Sequence, residues 1–317
     1  MRKLSVIIPV YNIQNYIIKC LDSLHRQNYK NVEFLIIDDG STDQSSEYIK
    51  RYLDNSDDNR FSYFYKTNGG LSDARNYGML KASGEYIWYF DGDDYMPDDS
   101  ELIGKLINKA EENKLEMLIF NFQYDENWPM KYANHAFDLK SNNCVQKGTD
   151  ILNGPVFRHS IWHILFERNF LLKNKITFEK GSTVEDLIYT TECLLQSQRV
   201  LIYPLVAYVY AYRSDSITGS TNLQAITKRI NDVIDTTVLL DEKLRKKDIQ
   251  SSELVSGFIA ESMMACATGY VSVSIKKMKN FFKGKKLNLK ELIKKVILLY
   301  TPKRIRRLLC KRILNVR

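Results

Sequence analysis

The strongest constraint on this chain is a repeating alternation of short apolar runs with stretches of helical periodicity. Leu4-Ser5-Val6-Ile7-Ile8-Pro9-Val10 is β-branched and apolar almost throughout, the pattern of a strand buried on both faces. Tyr16, Ile17, Cys20, Leu21 and Leu24 then recur at the spacing of one helix face. Val32 to Ile37 reads as a second strand, and Ser41 with Gln44 has the spacing of a capping box that opens a helix to about Leu53. A third strand, Phe61 to Tyr65, precedes a helix over Ser72 to Lys81 that stops near Ser83-Gly84. Tyr86 to Phe90 is a fourth strand, followed by a helix from about Asp99 and a strand at Met117 to Phe122. Strand and helix in alternation predict an α/β fold with a mostly parallel, doubly wound, Rossmann-like sheet.

Past residue 124 the periodicity loosens. Asp125 to Asn143 and Pro155 to Arg168 read as loops, Val184 to Gln196 as a helix and Val200 to Tyr212 as a strand. Two long helices are expected over about Leu223 to Lys246 and Ser252 to Val273.

Charge separates a body from a tail. Residues 275–317 hold 11 Lys and 5 Arg against the single Glu291, which leaves residues 1–274 with a net charge of −7. An acidic body argues against binding of nucleic acid phosphates. In the tail, Leu289, Leu292, Ile293, Val296, Ile297 and Tyr300 recur at helical spacing, with Lys290, Lys294 and Lys295 off that stripe. A basic amphipathic helix of this kind suits the surface of an anionic membrane. No apolar run reaches the roughly 18 residues that span a bilayer, and the run after Met1-Arg2-Lys3 is too short for a signal peptide. The expectation is a cytoplasmic protein, peripheral at the inner face of the cell membrane. Five cysteines without pairs or Cys-x-x-Cys spacing read as free thiols and exclude a cysteine zinc site.

Ligands of an open parallel sheet sit beyond the carboxyl ends of its strands. Three such ends carry polar turn residues: Tyr11-Asn12, Asp38-Asp39-Gly40-Ser41 and Asp91-Gly92-Asp93-Asp94. The plain reading is that strand-to-helix turns favour Asp, Gly and Ser. Three carboxylates within four residues, however, repel one another unless protonated or sharing a cation. Oxygen ligands favour Mg²⁺ or Mn²⁺, which would bridge to phosphate oxygens. Gly92 suits a tight turn or close backbone approach. His159 and His163 sit four apart beside Trp162, but without a third ligand they read as packing groups.

The runs SVIIPVYN (5–12), IIDDGSTD (36–43), NGGLSDARNYG (68–78) and FDGDD (90–94) resemble, in order and spacing, the family 2 glycosyltransferases of the GT-A fold. VEDLIYT (184–190) and YRSDSITGS (212–220) are similar to that family's later acidic and arginine-bearing stretches. The resemblance implies a nucleotide-sugar-binding and catalytic domain over 1–220, followed by a helical region at 221–274 and the basic tail at 275–317. It implies that Tyr11 lies against a uracil ring and that Asp39 accepts the ring N–H. Arg75 and Asn76 would lie near the ribose and diphosphate, and Asp91 near the ribose, with Pro9 and Gly92 among the nucleotide-contacting positions. Asp93 would hold Mn²⁺ or Mg²⁺ on the diphosphate with Asp94 in support, and Asp186 would be the general base. Acids in the first turn of a helix are also favoured by its dipole alone, which is the plain reading of Glu185 and Asp186.

The implied activity is inverting, metal-dependent transfer of a single hexose or N-acetylhexosamine from a UDP-sugar to a glycan acceptor. That acceptor is expected on a polyprenyl-diphosphate carrier, in bacterial surface polysaccharide synthesis. No Gln-x-x-Arg-Trp motif of the processive members is present. An aspartyl-phosphate phosphotransferase would want Asp-x-Asp after the first strand, where this chain has Pro9-Val10-Tyr11-Asn12. The remaining alternative is a catalytically inactive nucleotide-binding adaptor docked at the membrane.

Overall fold

Strand β1 (Leu4–Val10) is buried along its whole length, and its two faces pack against different helices. Leu4, Val6, Ile8 and Val10 join one apolar cluster with α1 (Ile17–His25) and α4 (Leu102–Glu112). Ile7 points the other way, under α3 (Leu71–Lys81), where a side chain at Gly78 would lie 2.3 Å from Ile7 Cγ2. That is why the run is apolar on successive residues instead of alternating.

The computed structural model describes residues 3–128, 143–152 and 160–213, together with Asp232, Thr236 and Leu240. Apart from Asp232, Thr236 and Leu240, which are helical, the expected long helices and the basic tail lie outside the described residues, as does His159. The remaining elements are β2 (Val32–Asp38), α2 (Ser45–Asp54), β3 (Phe61–Tyr65), β4 (Tyr86–Tyr89), β5 (Met117–Tyr124), α5 (Gly148–Leu152), β6 (Ile164–Glu167), α6 (Arg168–Lys173), α7 (Glu185–Gln196) and β7 (Val200–Tyr210). The chain divides into two compact units. Nearly all described residues belong to the first; Leu152, Ser182–Val184, Asp232, Thr236 and Leu240 belong to the second.

The sheet of the first unit runs β3-β2-β1-β4-β6-β5-β7. β6 is antiparallel to both neighbours, and the other pairs are parallel. This is the expected mostly parallel α/β sheet, with one correction. Residues 164–167 fall within the segment expected as a loop, yet they form a central strand. Trp88 Nε1, in β4, donates 2.7 Å to the Trp162 carbonyl in the 3₁₀ turn just before it. A strand of four residues is too short to show a period.

Two smaller departures concern turns. Helix α2 starts at Ser45, and the Ser41–Gln44 capping box does not form. Asp43 Oδ1 accepts the Ser45 N–H at 2.9 Å, while Ser41 Oγ accepts the N–H of Asn12. Pro9, which has no N–H, sits where β1 and β4 part, just past the last pair, Ile7 with Tyr89.

Candidate active site

All three polar strand ends lie at the carboxyl edge of the parallel strands. Tyr11, one residue past β1, is 49% exposed, so its ring is open for stacking. Asn12 follows with φ 52°, a left-handed conformation that asparagine tolerates. Its Oδ1 accepts the Thr42 N–H at 2.8 Å and the Asp43 N–H at 3.3 Å, tying the β1 end to the loop after β2.

The two aspartates of that loop have different surroundings. Asp38 is buried and accepts from the Ser41 N–H at 2.8 Å, the Tyr63 hydroxyl at 2.7 Å and the Ser46 hydroxyl. It is a brace for the loop. Asp39, also buried, receives the N–H groups of Gly69 at 3.0 Å and Gly70 at 2.7 Å, and an ion pair from Lys66. Lys66 bridges on to Asp73 at 2.7 Å, and Asp73 pairs in turn with Lys180. Sequence reasoning missed Lys66. The only signal was its place one residue beyond β3, on the same sheet edge.

The Asp91–Asp94 turn is the densest part of the edge. A Cβ at Gly92 would lie 2.8 Å from Ile13 Cδ1 and 3.0 Å from the Pro9 carbonyl, so the turn packs tightly on the end of β1. Pro9 is itself buried. Both residues shape the edge on which a nucleotide is expected to lie. Asp94 is buried too, and both its oxygens are taken. It accepts from the Tyr208 hydroxyl and from the Ala211 N–H at 2.7 Å. Burial pushes its carboxyl well above the usual range, and Asp93 and Asp91 add to the rise. Asp94 thus clamps the turn that carries Asp93 to the end of β7.

Asp93 differs. One oxygen pairs with Arg213 at 2.6 Å, and its side chain is about a quarter exposed. Burial raises its pKa, helped by Asp91 and opposed by Arg213. Among the described residues no three His, Cys, Asp or Glu side chains are grouped to hold a metal ion. One carboxylate can still fit a hard cation whose other ligands are water and diphosphate oxygens, the usual habit of Mg²⁺. Asp93, partly exposed, fits that role.

Arg75 and Asn76 are both tied to neighbouring elements of the protein. Arg75 is 1% exposed, and its guanidinium donates to Glu185 at 2.8 Å, Asp186 at 2.9 Å and Asp91 at 2.9 Å, with Phe178 stacked on one face. Three carboxylates occupy its fork. Asn76 exchanges two hydrogen bonds of 2.9 Å with the backbone of Phe178. The NGGLSDARNYG helix thus braces the edge from within.

Asp186 stands at the start of α7, on Arg75. Its second oxygen accepts a long bond, 3.4 Å, from the Ile161 N–H. Burial pushes its carboxyl up to about 7; Arg75 pulls against this, while Glu185 and Asp91 add to it. A carboxyl poised near neutrality is matched to taking a proton from a hydroxyl. His163 is buried, with Nδ1 3.0 Å from the Phe120 carbonyl, and it belongs to the aromatic packing under β5.

Comparison with known proteins bears on the family and the fold. The family model described as Glycosyl transferase family 2 matches residues 5–175. A curated relative, "Glycosyltransferase GlyA" of Streptococcus pneumoniae, is 31% identical over 230 residues, or 68% of this chain. The match covers 31% of that protein, so the chain spans about a third of its length. Among solved structures, S. aureus TarS 1-349 in complex with UDP-GlcNAc aligns with a TM-score of 0.69 at 19% identity, covering 98% of this chain and 86% of that one. The mannosyltransferase PcManGT from Pyrobaculum calidifontis, in complex with GDP-Man and Mn²⁺, aligns with a TM-score of 0.59 at 17% identity, covering 98% and 84%. At these identities the likeness establishes the GT-A fold alone.

Proposed function

The chain belongs to the family 2 glycosyltransferases, and on that premise we propose that it transfers one hexose or N-acetylhexosamine from a UDP-sugar to a glycan acceptor, with inversion at the anomeric carbon. The supporting observation is Asp186, a carboxyl pushed up to about 7 and held by Arg75, which also holds Asp91. In the proposed reaction the acceptor oxygen bonds to the anomeric carbon as the bond to the β-phosphate oxygen breaks. Its electrons leave on UDP, and the acceptor proton passes to Asp186. A divalent cation, Mn²⁺ or Mg²⁺, when bound at Asp93 would offset the charge that builds on the leaving diphosphate. Tyr11 offers its exposed ring to the base, and Asp39 offers an acceptor to the uracil N–H. UDP as the nucleotide is supported by the UDP-GlcNAc of TarS, Mn²⁺ by the ion of PcManGT.

Asp39 tests the donor assignment. Its carboxylate also anchors the Gly69–Gly70 amides, so loss of affinity alone would not discriminate. Removing the uracil partner leaves a buried donor unmet, a cost of about 1–3 kcal/mol. Asp39→Ala should therefore weaken UDP more than GDP and narrow the ratio of the two affinities, read by calorimetry. An unchanged ratio would remove Asp39 from base selection.

The acceptor is proposed to be lipid-linked, which suits a protein docked at an anionic membrane through 275–317. Each Lys or Arg near such a surface contributes on the order of 1 kcal/mol, ample in a tail this basic for reversible docking. Among the described residues no helix is long and apolar enough to cross a membrane. The full chain should float with anionic liposomes and not with neutral ones, and a chain stopped at Ser274 should float with neither. Equal flotation of the two forms would remove the membrane claim and leave the transferase claim standing.

A further inference from the structure

Arg75 divides one guanidinium among three carboxylates. Nη1 donates to Glu185 at 2.8 Å and to Asp186 at 2.9 Å, and Nη2 donates to Asp91 at 2.9 Å. Its Nε has no partner among the described residues. The cluster therefore carries one positive and three negative formal charges in a site where Arg75 is 1% exposed. A private Arg–Asp pair would hold the carboxyl well below its ordinary range and leave a poor base. Sharing changes this, because the neutralising charge is spread and two like charges stand beside the third.

We propose that Arg75 and Glu185 are positioning residues for the base. Arg75 fixes Asp186 to the donor-side Asp91, and Glu185, on the same guanidinium nitrogen, draws off part of Arg75's charge and so leaves Asp186 a stronger proton acceptor. The inference rests on the reading of Asp186 as the base. The groups facing Asp186 are Arg75 from α3, Asp91 from the turn after β4, the adjacent Glu185 of α7, and the Ile161 N–H from the 3₁₀ turn. Arg75 and the Ile161 N–H favour the carboxylate, while burial, Glu185 and Asp91 oppose it. Glu185 lies on the same guanidinium nitrogen as Asp186, so it competes for the charge most directly.

Deleting Arg75 would leave three carboxylates unpaired in a buried site, so the test keeps the guanidinium and changes its load. Glu185→Gln preserves shape and an acceptor oxygen but removes one negative charge. It should move the acidic limb of the kcat–pH profile down from near 7 by about one unit, a tenfold change in proton affinity. Glu185→Asp keeps the charge and should leave the limb in place. The same shift is read without turnover by ¹³C carboxyl NMR on aspartate-labelled protein, with the Asp186 signal assigned from its loss in Asp186→Asn. A lower midpoint in Glu185→Gln alone supports the inference. An unmoved midpoint, or equal behaviour of the Gln and Asp variants, overturns it. UDP calorimetry on the unmodified chain tests the donor reading separately. If no transfer is found with any donor, the NMR midpoint still decides the role of Glu185.

Discussion

Asp93→Ala should abolish transfer and weaken UDP-sugar binding. The diphosphate carries concentrated negative charge that must be met as the sugar leaves, and a bridging cation supplies several kcal/mol of that stabilisation. Several kcal/mol corresponds to a rate loss on the order of a thousandfold or more. Asp93 is the carboxylate of the 91–94 turn that combines partial exposure with a place outside the Arg75 cluster. Asp94→Asn is the contrasting variant. Asp94 is buried under the Tyr208 hydroxyl and the Ala211 N–H, so Mn²⁺ binding should survive its neutralisation. Its stability should respond as well. The folded pKa of Asp94 is raised above the unfolded value, so the unmodified chain loses stability as pH rises from about 4 through the folded pKa. Asparagine does not titrate. The stability of Asp94→Asn relative to the unmodified chain should therefore rise across that window. Mn²⁺ titration followed by electron paramagnetic resonance separates the two: loss in Asp93→Ala and retention in Asp94→Asn is expected. Loss of Mn²⁺ in both would place Asp94 among the ligands.

Asp186→Asn should cut turnover by about two to four orders of magnitude, the usual worth of a positioned base, and leave UDP binding nearly intact. The unmodified chain should gain kcat as pH rises through about 7, where Asp186 gives up its proton. The residual activity of the variant should lack that limb, because asparagine has no proton to lose. Calorimetry with UDP on Asp186→Asn and Asp93→Ala distinguishes the roles. Equal loss of UDP binding in the two would place Asp186 in donor binding and refute its role as base.

Residues adjacent in sequence carried most of what could be read without the structure. The apolar runs of β1 and β2 fix their strands because burial on two faces demands apolar side chains at successive positions. Alternation with helices then implies a parallel sheet, and a parallel sheet implies a site at its carboxyl edge. Tyr11, Asp39 and the Asp91–Asp94 turn follow from that chain of reasoning, whereas Asp186 was singled out by the family resemblance. What each side chain does at that edge was decided by partners far away in the chain. Arg75 meets carboxylates 110 and 111 residues on, and Asp94 meets Tyr208 114 residues on. The same sheet register inserts β6 between β4 and β5. Periodicity reports which face of an element is buried. It does not report which charge on one strand end will meet which donor on another, because sheet order and helix placement set those distances. Patterning along the chain was enough for the fold class and for the sheet edge that carries the candidate site. That Arg75 meets three carboxylates and that Asp94 is a buried clamp came from tertiary structure, since each carboxylate's solvation and charge neighbours exist only once the sheet is assembled.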